Sequence, residues 1–311
     1  MSLRWLVRRV AGMLLVVLGV IVLVFFMLRL IPGDPAVTVL GIRATPAAIA
    51  VLHEEWGLDE PLPAQFGRFL ARTVQGDLGD SLVYHEPVAT TIGGRLEPSA
   101  WLLVMGALFA AALSIPLAII AAARKDRPVD HLIRVIPLVG FAMPAVWVGL
   151  MMILVFSLTL GLFPVGGFEA GFAGHVRSMV LPSVTMALLL APLLIRSLRT
   201  SLLDTLESDY VLTARSKGIP ERRVFVRHAL RNAAVPSITV FGFNIIVLIG
   251  NLVVIEKVYA LPGVGSLLVD GVLARDFPVV QGVTLLLAVV VLVVYLLTDV
   301  ALAKLDPRVT L

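Results

Sequence analysis

The polar and charged side chains of this chain are concentrated between Arg196 and Arg231. That stretch holds eight basic residues (Arg196, Arg199, Arg215, Lys217, Arg222, Arg223, Arg227 and Arg231) and four acidic ones (Asp204, Glu207, Asp209 and Glu221), set between two apolar segments. Such a set offers ion pairs and hydrogen bonds to a soluble protein rather than bond-making chemistry. Five histidines (His53, His85, His131, His175 and His228) are scattered over connecting segments, so no shared metal site is expected. No paired-carboxylate or His/Ser/Asp arrangement stands out, and cysteine is absent, which removes disulfides, thiolate ligands and thiol catalysis. A second polar series is sparser. Ser237, Asn244 and Asn251 recur every seven residues in an otherwise apolar segment and share one helix face. They either line a path for a polar solute or hydrogen-bond between helices in lipid.

The elements that must carry these residues are membrane spans. Of 311 residues, 59% are hydrophobic and only 15% charged, against about 25% charged in a soluble domain. The net charge of +4 reflects basic residues at the ends of apolar segments, which points to orientation in a membrane and not to nucleic acid. A helix needs about 20 apolar residues to cross the hydrocarbon. Six segments qualify: Val10–Leu28, Ser99–Ala123, Val135–Phe163, Met179–Ile195, Ala233–Ile255 and Val279–Thr298. The third is long enough to tilt. The fourth is short and contains Pro182 and Pro192, which either form a hinge or are tolerated because neighbouring groups satisfy the freed carbonyls. The first follows Arg4, Arg8 and Arg9 like a signal peptide, but its apolar stretch is long and no small-residue cleavage pattern follows, so an uncleaved span is expected.

Lys and Arg set the orientation. The N-terminus, the connection with Arg124, Lys125, Arg127 and Arg134, the long 196–231 segment and the C-terminus together hold 17 of them; the alternate connections hold 6. Both termini are therefore expected in the cytoplasm and residues 31–98 outside. In that external segment Thr45-Pro46 reads as a helix start and Gly57 as a stop, while Phe66, Phe69, Leu70 and Val74 repeat at helical spacing before Gly76. Two short helices forming a small cap are expected. Glu256-Lys257 reads as an interfacial ion pair, and the spans show no clear buried ionisable residue and no broken half-helix.

Within 196–231, Ser208 or Asp209 can cap a short helix by accepting from a free backbone N–H. Arg215 and Lys217 fall in its last turn, Gly218 supplies a left-handed stop, and Pro220 opens a second helix with Glu221 in its first turn. A DNA-binding helix-turn-helix has the same outline, but tethering to spans at both ends argues against it, and no nucleic-acid partner is expected. A docking element for a groove on another protein fits better.

The sequence of this segment resembles the cytoplasmic motif of ABC-importer permeases, commonly written Glu-Ala-Ala, three residues, Gly, nine residues, Ile, one residue, Leu-Pro. Here the corresponding positions are Leu212-Thr213-Ala214, Gly218 and His228-Ala-Leu230-Arg231. The Glu, first Ala, Ile and Pro depart from that pattern. The departures are similar to the dipeptide, oligopeptide and nickel permease branch, through Tyr210-Val-Leu-Thr-Ala-Arg-Ser-Lys-Gly218 and His228-Ala-Leu-Arg-Asn232. Leu30-Ile-Pro-Gly-Asp-Pro35, Gly76-Asp-Leu-Gly79 with Ser81, Leu261-Pro-Gly-Val-Gly265, Arg275-Asp-Phe-Pro-Val-Val-Gln-Gly282 and Asp306-Pro-Arg308 extend the resemblance over essentially the whole chain.

The resemblance implies an all-α integral membrane protein of six transmembrane helices with the type I ABC-importer permease architecture, in one permease domain over 1–311, with a cap over 31–98 and an ATPase-coupling loop over 196–231. It implies a non-catalytic subunit forming half of a translocation pathway in the inner membrane. The implied partners are a second homologous permease, two ATPase subunits or domains carrying ATP and Mg, an extracytoplasmic substrate-binding protein and surrounding lipid. No cofactor binds this chain itself. Coupling would fall to Asp209, Tyr210, Thr213, Ala214, Arg215, Lys217, Gly218 and Arg222, and the path to Asn244, Asn251 and Ser237. The chain has no Gly-x-x-x-x-Gly-Lys-Ser/Thr phosphate loop, so the energy must enter from a partner. Peptides are the favoured substrate; nickel complexes or another small solute are the alternative, and a stand-alone secondary transporter is the rival of another class.

Overall fold

The computed structural model describes residues 3–30, 34–41 and 44–305, and among them the chain is almost entirely helical. Five helices are long and apolar enough to cross a membrane: α1 (Leu3–Leu30), α5 (Val88–Ala123), α8 (Gly171–Leu206), α11 (Arg231–Val258) and α13 (Phe277–Leu305). The candidate for a sixth is a pair of helices that together are long and apolar enough, α6 (Pro128–Phe141) and α7 (Ala145–Met152), the second prolonged by a π-helical turn over Ile153–Thr159. The two halves meet at 103°. The third span is thus broken, where a single tilted helix was expected. The cause lies at Met143-Pro144: Pro144 has no N–H to give, and its ring disfavours helical backbone at the preceding residue. Pro137 lies inside α6 without breaking it.

Pro182 and Pro192 both lie inside α8, a continuous helix of 36 residues. At 1.5 Å per residue it is about 54 Å long, well beyond a hydrocarbon core of roughly 30 Å. The fourth span is therefore far longer than the expected Met179–Ile195. Its last turns carry Arg196, Arg199 and Asp204 away from the apolar stretch as helix rather than loop.

The chain forms two compact units. The larger comprises, among the described residues, 98–263 with 291–305. Its centre is α8, which packs chiefly on α11, α6 and α7. One buried apolar cluster joins Leu102, Met179, Met186, Leu190, Leu248, Leu252, Ile255 and Tyr259. A second joins Ala118, Ala122, Ile195, Leu198, Leu202, Ala229 and Ala233, where small residues let helices approach closely. Gly149 is one such point: a Cβ there would lie 2.8 Å from Val258. The outer surface stays apolar, with Leu108, Leu138, Val139 and Leu158 more than half exposed, as lipid contact requires.

The smaller unit comprises 3–97 and 264–290. Here α2 (Pro35–Leu40) is capped by the Asp34 carboxylate on the Ala36 N–H, and α3 (Pro46–Trp56) by Thr45 on the Ala48 N–H. Gly57 ends α3 in the left-handed conformation, and α4 (Leu62–Val74) lays Phe66 and Phe69 against Phe25 of α1, with ring centroids 5.1 and 5.7 Å apart. Pro32 and Gly33 of the 30–35 motif lie outside the described residues, as does Asp306-Pro-Arg308. A second core gathers Val88, Ile92, Val264, Leu267, Val279 and Val283 around α12 (Val264–Ala274). Beside it, Asp276 ties two of the sequence motifs together. Its carboxylate accepts from the Ser81 hydroxyl and from the Val83 N–H at 3.1 Å.

Candidate coupling site

The polar segment singled out in the sequence folds into a short helical turn on the end of α8. After Glu207 the chain turns through Ser208 into α9 (Asp209–Ser216). Ser208 has the extended backbone of an N-cap residue, but its hydroxyl donates to the Thr205 carbonyl at 2.5 Å and makes no cap to α9. The side-chain cap expected there is thus absent. The other end of α9 is closed firmly. Gly218 is left-handed at φ +73, its N–H donates to Arg215 at 2.9 Å, and Ile219 N–H reaches back to the Ala214 carbonyl at 3.3 Å. This pair of bonds defines the Schellman arrangement, and the apolar contact that accompanies it is present: Ile219 packs on Val211, Ala214 and Val224.

The turn is also held by charge. The Arg215 guanidinium donates to both carboxylate oxygens of Glu221, at 2.6 and 3.1 Å. The hydrogen bond from Arg215 holds the Glu221 carboxyl below its ordinary range. Both side chains are substantially exposed, so the bridge orders the hairpin more than it stabilises the fold. Glu221 opens α10 (Glu221–Arg223), and a π-helical stretch over Val224–Leu230 runs directly into α11. π-helical turns are rare and concentrate at functional sites. The second helix of the expected pair is therefore the beginning of the fifth span.

Among the residues proposed for coupling, Asp209, Tyr210, Thr213, Arg215, Lys217 and Gly218 lie exposed around α9 and its turn. Ala214 does not: it is 7% exposed and packs inward with Val211. Arg222 lies in α10, and its side chain falls outside the described residues. Leu212 was not singled out, yet it is half exposed beside Tyr210. Its signal was the spacing from Val211 and Ala214, which fixes the inward face and leaves Leu212 outward. Tyr210 is steadied by Asn232, whose amide donates to the phenol oxygen at 2.8 Å.

Two ion pairs anchor this region to the 124–130 connection. Lys125 reaches Glu207 at 2.7 Å, both exposed, and the hydrogen bond lowers the Glu207 carboxyl from its usual value. Asp130 is fully buried and accepts two hydrogen bonds from Arg199, each 2.6 Å. The Asp126 N–H adds a third at 3.0 Å.

The polar series on α11 bonds within its own helix. Ser237, Asn244 and Asn251 donate to the carbonyls of Ala233, Val240 and Val247 respectively. Asn244 is 1% exposed within this chain, whereas Ser237 and Asn251 are half-buried. Glu256 also differs from expectation. It does not lie at an exposed interface; its carboxylate is fully buried and accepts from Ser99 at 2.6 Å. Asp130 and Glu256 lie just outside the expected spans Val135–Phe163 and Ala233–Ile255 but inside α6 and α11, which run beyond the apolar stretches, and the bent pair overturns the expectation of no broken helix. Among the described residues, no group of three or more His, Asp or Glu is placed to hold a metal ion.

A buried carboxylate and a broken span are also features of secondary transporters, so geometry alone does not divide the classes. Sequence comparison does. Residues 114–311 match the family described as binding-protein-dependent transport system inner membrane component, and residues 2–98 match its N-terminal counterpart. The chain belongs to this family. It is 36% identical over 307 residues to the glutathione transport system permease protein GsiC of Salmonella paratyphi A, covering 99% of both chains. It is 39% identical over 309 residues to a protein of Brucella abortus named for peptide transport as a system permease, covering 97% of both. Its fold is similar to a solved chain of the MetNI methionine ABC transporter in an inward-facing conformation, with a TM-score of 0.59 over 70% of this chain and 96% of that one, at 14% identity. The chain is a multi-pass inner membrane protein with the type I importer fold, and it serves as a permease subunit of an ABC importer.

Proposed function

We propose that the chain forms half of the translocation pathway of a peptide importer, with α9 as the port through which partner ATPase subunits drive it. The observation that carries this reading is the hairpin of α9. Its inner face is packed on Ile219 and Val224, its glycine turn is locked, and Tyr210, Leu212, Thr213 and Lys217 are left exposed. Half-exposed Tyr210 and Leu212 on an otherwise polar helix are what a groove on a soluble partner would cover. The remaining partners are a second permease, two ATPase subunits or domains that carry ATP and Mg, and an extracytoplasmic binding protein. In this arrangement α9 and both termini face the cytoplasm and the α2–α4 cap faces outward, as the Lys and Arg asymmetry requires.

Small peptides are the proposed cargo. Glutathione is a tripeptide, so the two relatives named for glutathione and for peptides support one chemical class. The test is uptake by the complete complex in sealed vesicles, using labelled glutathione and labelled di- and tripeptides delivered with the binding protein. ATP-dependent accumulation of at least one of them is expected. Accumulation of a nickel complex with no peptide uptake would replace the peptide assignment.

A further inference from the structure

The exposed hairpin explains where force would enter but not which part of the membrane domain receives it. The structure offers a specific link. Arg199 lies on α8 ten residues before α9, and its two-pronged hydrogen bond holds Asp130, in the first turn of α6. Asp130 is fully buried, and Arg199 is 12% exposed on its side chain. The fork-to-carboxylate geometry fixes orientation as well as distance. The Asp126 N–H adds a third bond to the same carboxylate, and Arg134, one turn further along α6, approaches it at 3.5 Å. Lys125 and Glu207 form a second, exposed tie on the same side, much more open to screening by water and salt. Beyond α6 comes the 103° break and α7. This pair is far less exposed than the Lys125–Glu207 and Arg215–Glu221 pairs, and it joins the stem of the docking helix to the broken span.

We propose that Asp130 and Arg199 are positioning residues that clamp α6 to the end of α8, so that α6, the α8 stem and α9 move as one body and the break between α6 and α7 absorbs the motion. This rests on the reading of α9 as the ATPase port. It assigns the bent pair a mechanical role: the junction at Met143-Pro144 is the joint, and the buried pair selects which half of the span travels with the coupling helix.

The test uses the absence of cysteine. Leu132→Cys on α6 and Ser216→Cys on α9 are spin-labelled in the full importer complex, and the distance between them is measured without nucleotide and with ATPase trapped by ATP and vanadate. One narrow distance, the same in both states, is expected. In Asp130→Asn and Arg199→Gln the distance should broaden or shift in the trapped state by about one helical turn, roughly 5 Å. Arg199→Lys keeps the charge beside Asp130 but loses the fork. It should show a smaller broadening, and it serves as the test if the neutral variants do not assemble. A distance that changes between states without substitution overturns the clamp, and so does a distance that stays fixed in the substituted complexes. Failure of the α9 reading is read separately. A single Ser216→Cys that cannot be cross-linked to the ATPase in an otherwise unaltered complex removes the port, whereas successful cross-linking with fixed distances in the variants removes the clamp alone.

Discussion

The Ser99 hydroxyl and the Glu256 carboxylate meet at 2.6 Å inside the larger unit, joining the first third of α5 to the last turn of α11. The carboxylate has no exposed surface, and Gly263 is pressed against it: a Cβ added there would lie 2.1 Å from Oε1. The Leu261-Pro-Gly-Val-Gly265 motif thus contains a glycine whose missing side chain is the space the carboxylate fills. Its neighbour Leu261 is bonded back to the Glu256 carbonyl at 2.8 Å.

Ser99→Ala should cost about 1–3 kcal/mol, the range for leaving a buried acceptor without its donor. Gly263→Ala should displace the carboxylate from Ser99 and cost a similar amount. Because both substitutions break the same bond, the double variant should be less destabilised than the two single effects added together, by about 0.5 kcal/mol or more. Thermal unfolding of the purified complex in detergent measures all three. Strict additivity would show that Gly263 acts on something other than the Ser99 bond.

Gly218 is left-handed at φ +73, with open space around the position of a Cβ. A Cβ at Gly218 therefore meets nothing, and the effect argued for Gly218→Val is backbone strain of roughly 1–2 kcal/mol. The chain should still insert and assemble, while substrate-stimulated ATP hydrolysis falls because α9 is misaimed. Gly218→Asn, which tolerates the left-handed region better, should recover part of the loss. Unchanged stimulation in Gly218→Val would separate the turn from coupling.

Part of this was legible in the sequence because it depends on single residues with strong local preferences. Thr45-Pro46, Gly57 and Gly218 mark helix ends by backbone chemistry alone, and each stands at a helix end as expected. Apolar length gave the spans. The helix ends within the polar segment were not legible, because α8 and α11 continue through charged residues that a hydropathy reading excludes. The buried polar pairs were equally hidden: Ser99 and Glu256 lie 157 positions apart, and Asp130 and Arg199 lie 69 apart. No local period links such residues. The break at Met143-Pro144 was obscured because Pro137 sits in the same apolar run and is simply absorbed.

In the cap, His53 is held between two carboxylates: Nε2 lies 2.8 Å from Asp34 and Nδ1 3.2 Å from Asp59. The hydrogen bond to Asp34 raises the His53 pKa above 6.5, against a smaller opposing effect of burial. Burial raises the Asp34 carboxyl, but hydrogen bonds from Ala36 N–H and His53 outweigh it and leave it below 3.8. A raised histidine stabilises fully below its unfolded value and loses that contribution as pH climbs through its folded one. A lowered carboxyl stabilises above its unfolded value and loses that contribution as pH falls through its folded one. The cap should thus be tightest between these limits, near pH 5, and loosen above neutrality. Hydrogen exchange over 45–60 should slow from pH 8 to pH 5.5, after correction for intrinsic rates, and His53→Gln should abolish the difference. An equal difference in His53→Gln would place its origin elsewhere.

Orientation can be tested with better-chosen positions than the motif residues. Ser81 is an obvious site in the sequence, but it is buried against Asp276. Gln75 and Ser216 are both exposed. Gln75→Cys should react with an impermeant thiol reagent from outside sealed cells, and Ser216→Cys only after permeabilisation. Reaction of both from one side would refute the assignment of both termini to the cytoplasm.

Asn244 and Asn251 share a face of α11 but not an environment. The Asn244 side chain is 1% exposed, and its Oδ1 accepts no hydrogen bond in the structure. Replacing such a group with an apolar one of similar shape removes an unsatisfied acceptor and is often neutral or stabilising. Asn244→Leu should therefore leave transport and stability close to those of the unsubstituted protein. Asn251 is half-buried, and a path along this face of α11, as proposed, would bring a solute to it. Asn251→Leu should weaken transport, and Asn251→Cys should change its reactivity toward a small thiol reagent when ATP is trapped, while Asn244→Cys stays inert. If Asn244→Cys reacts in either state, α11 turns that face toward water during the cycle and both asparagines line the path. If neither reacts while an exposed control does, both act in packing α11.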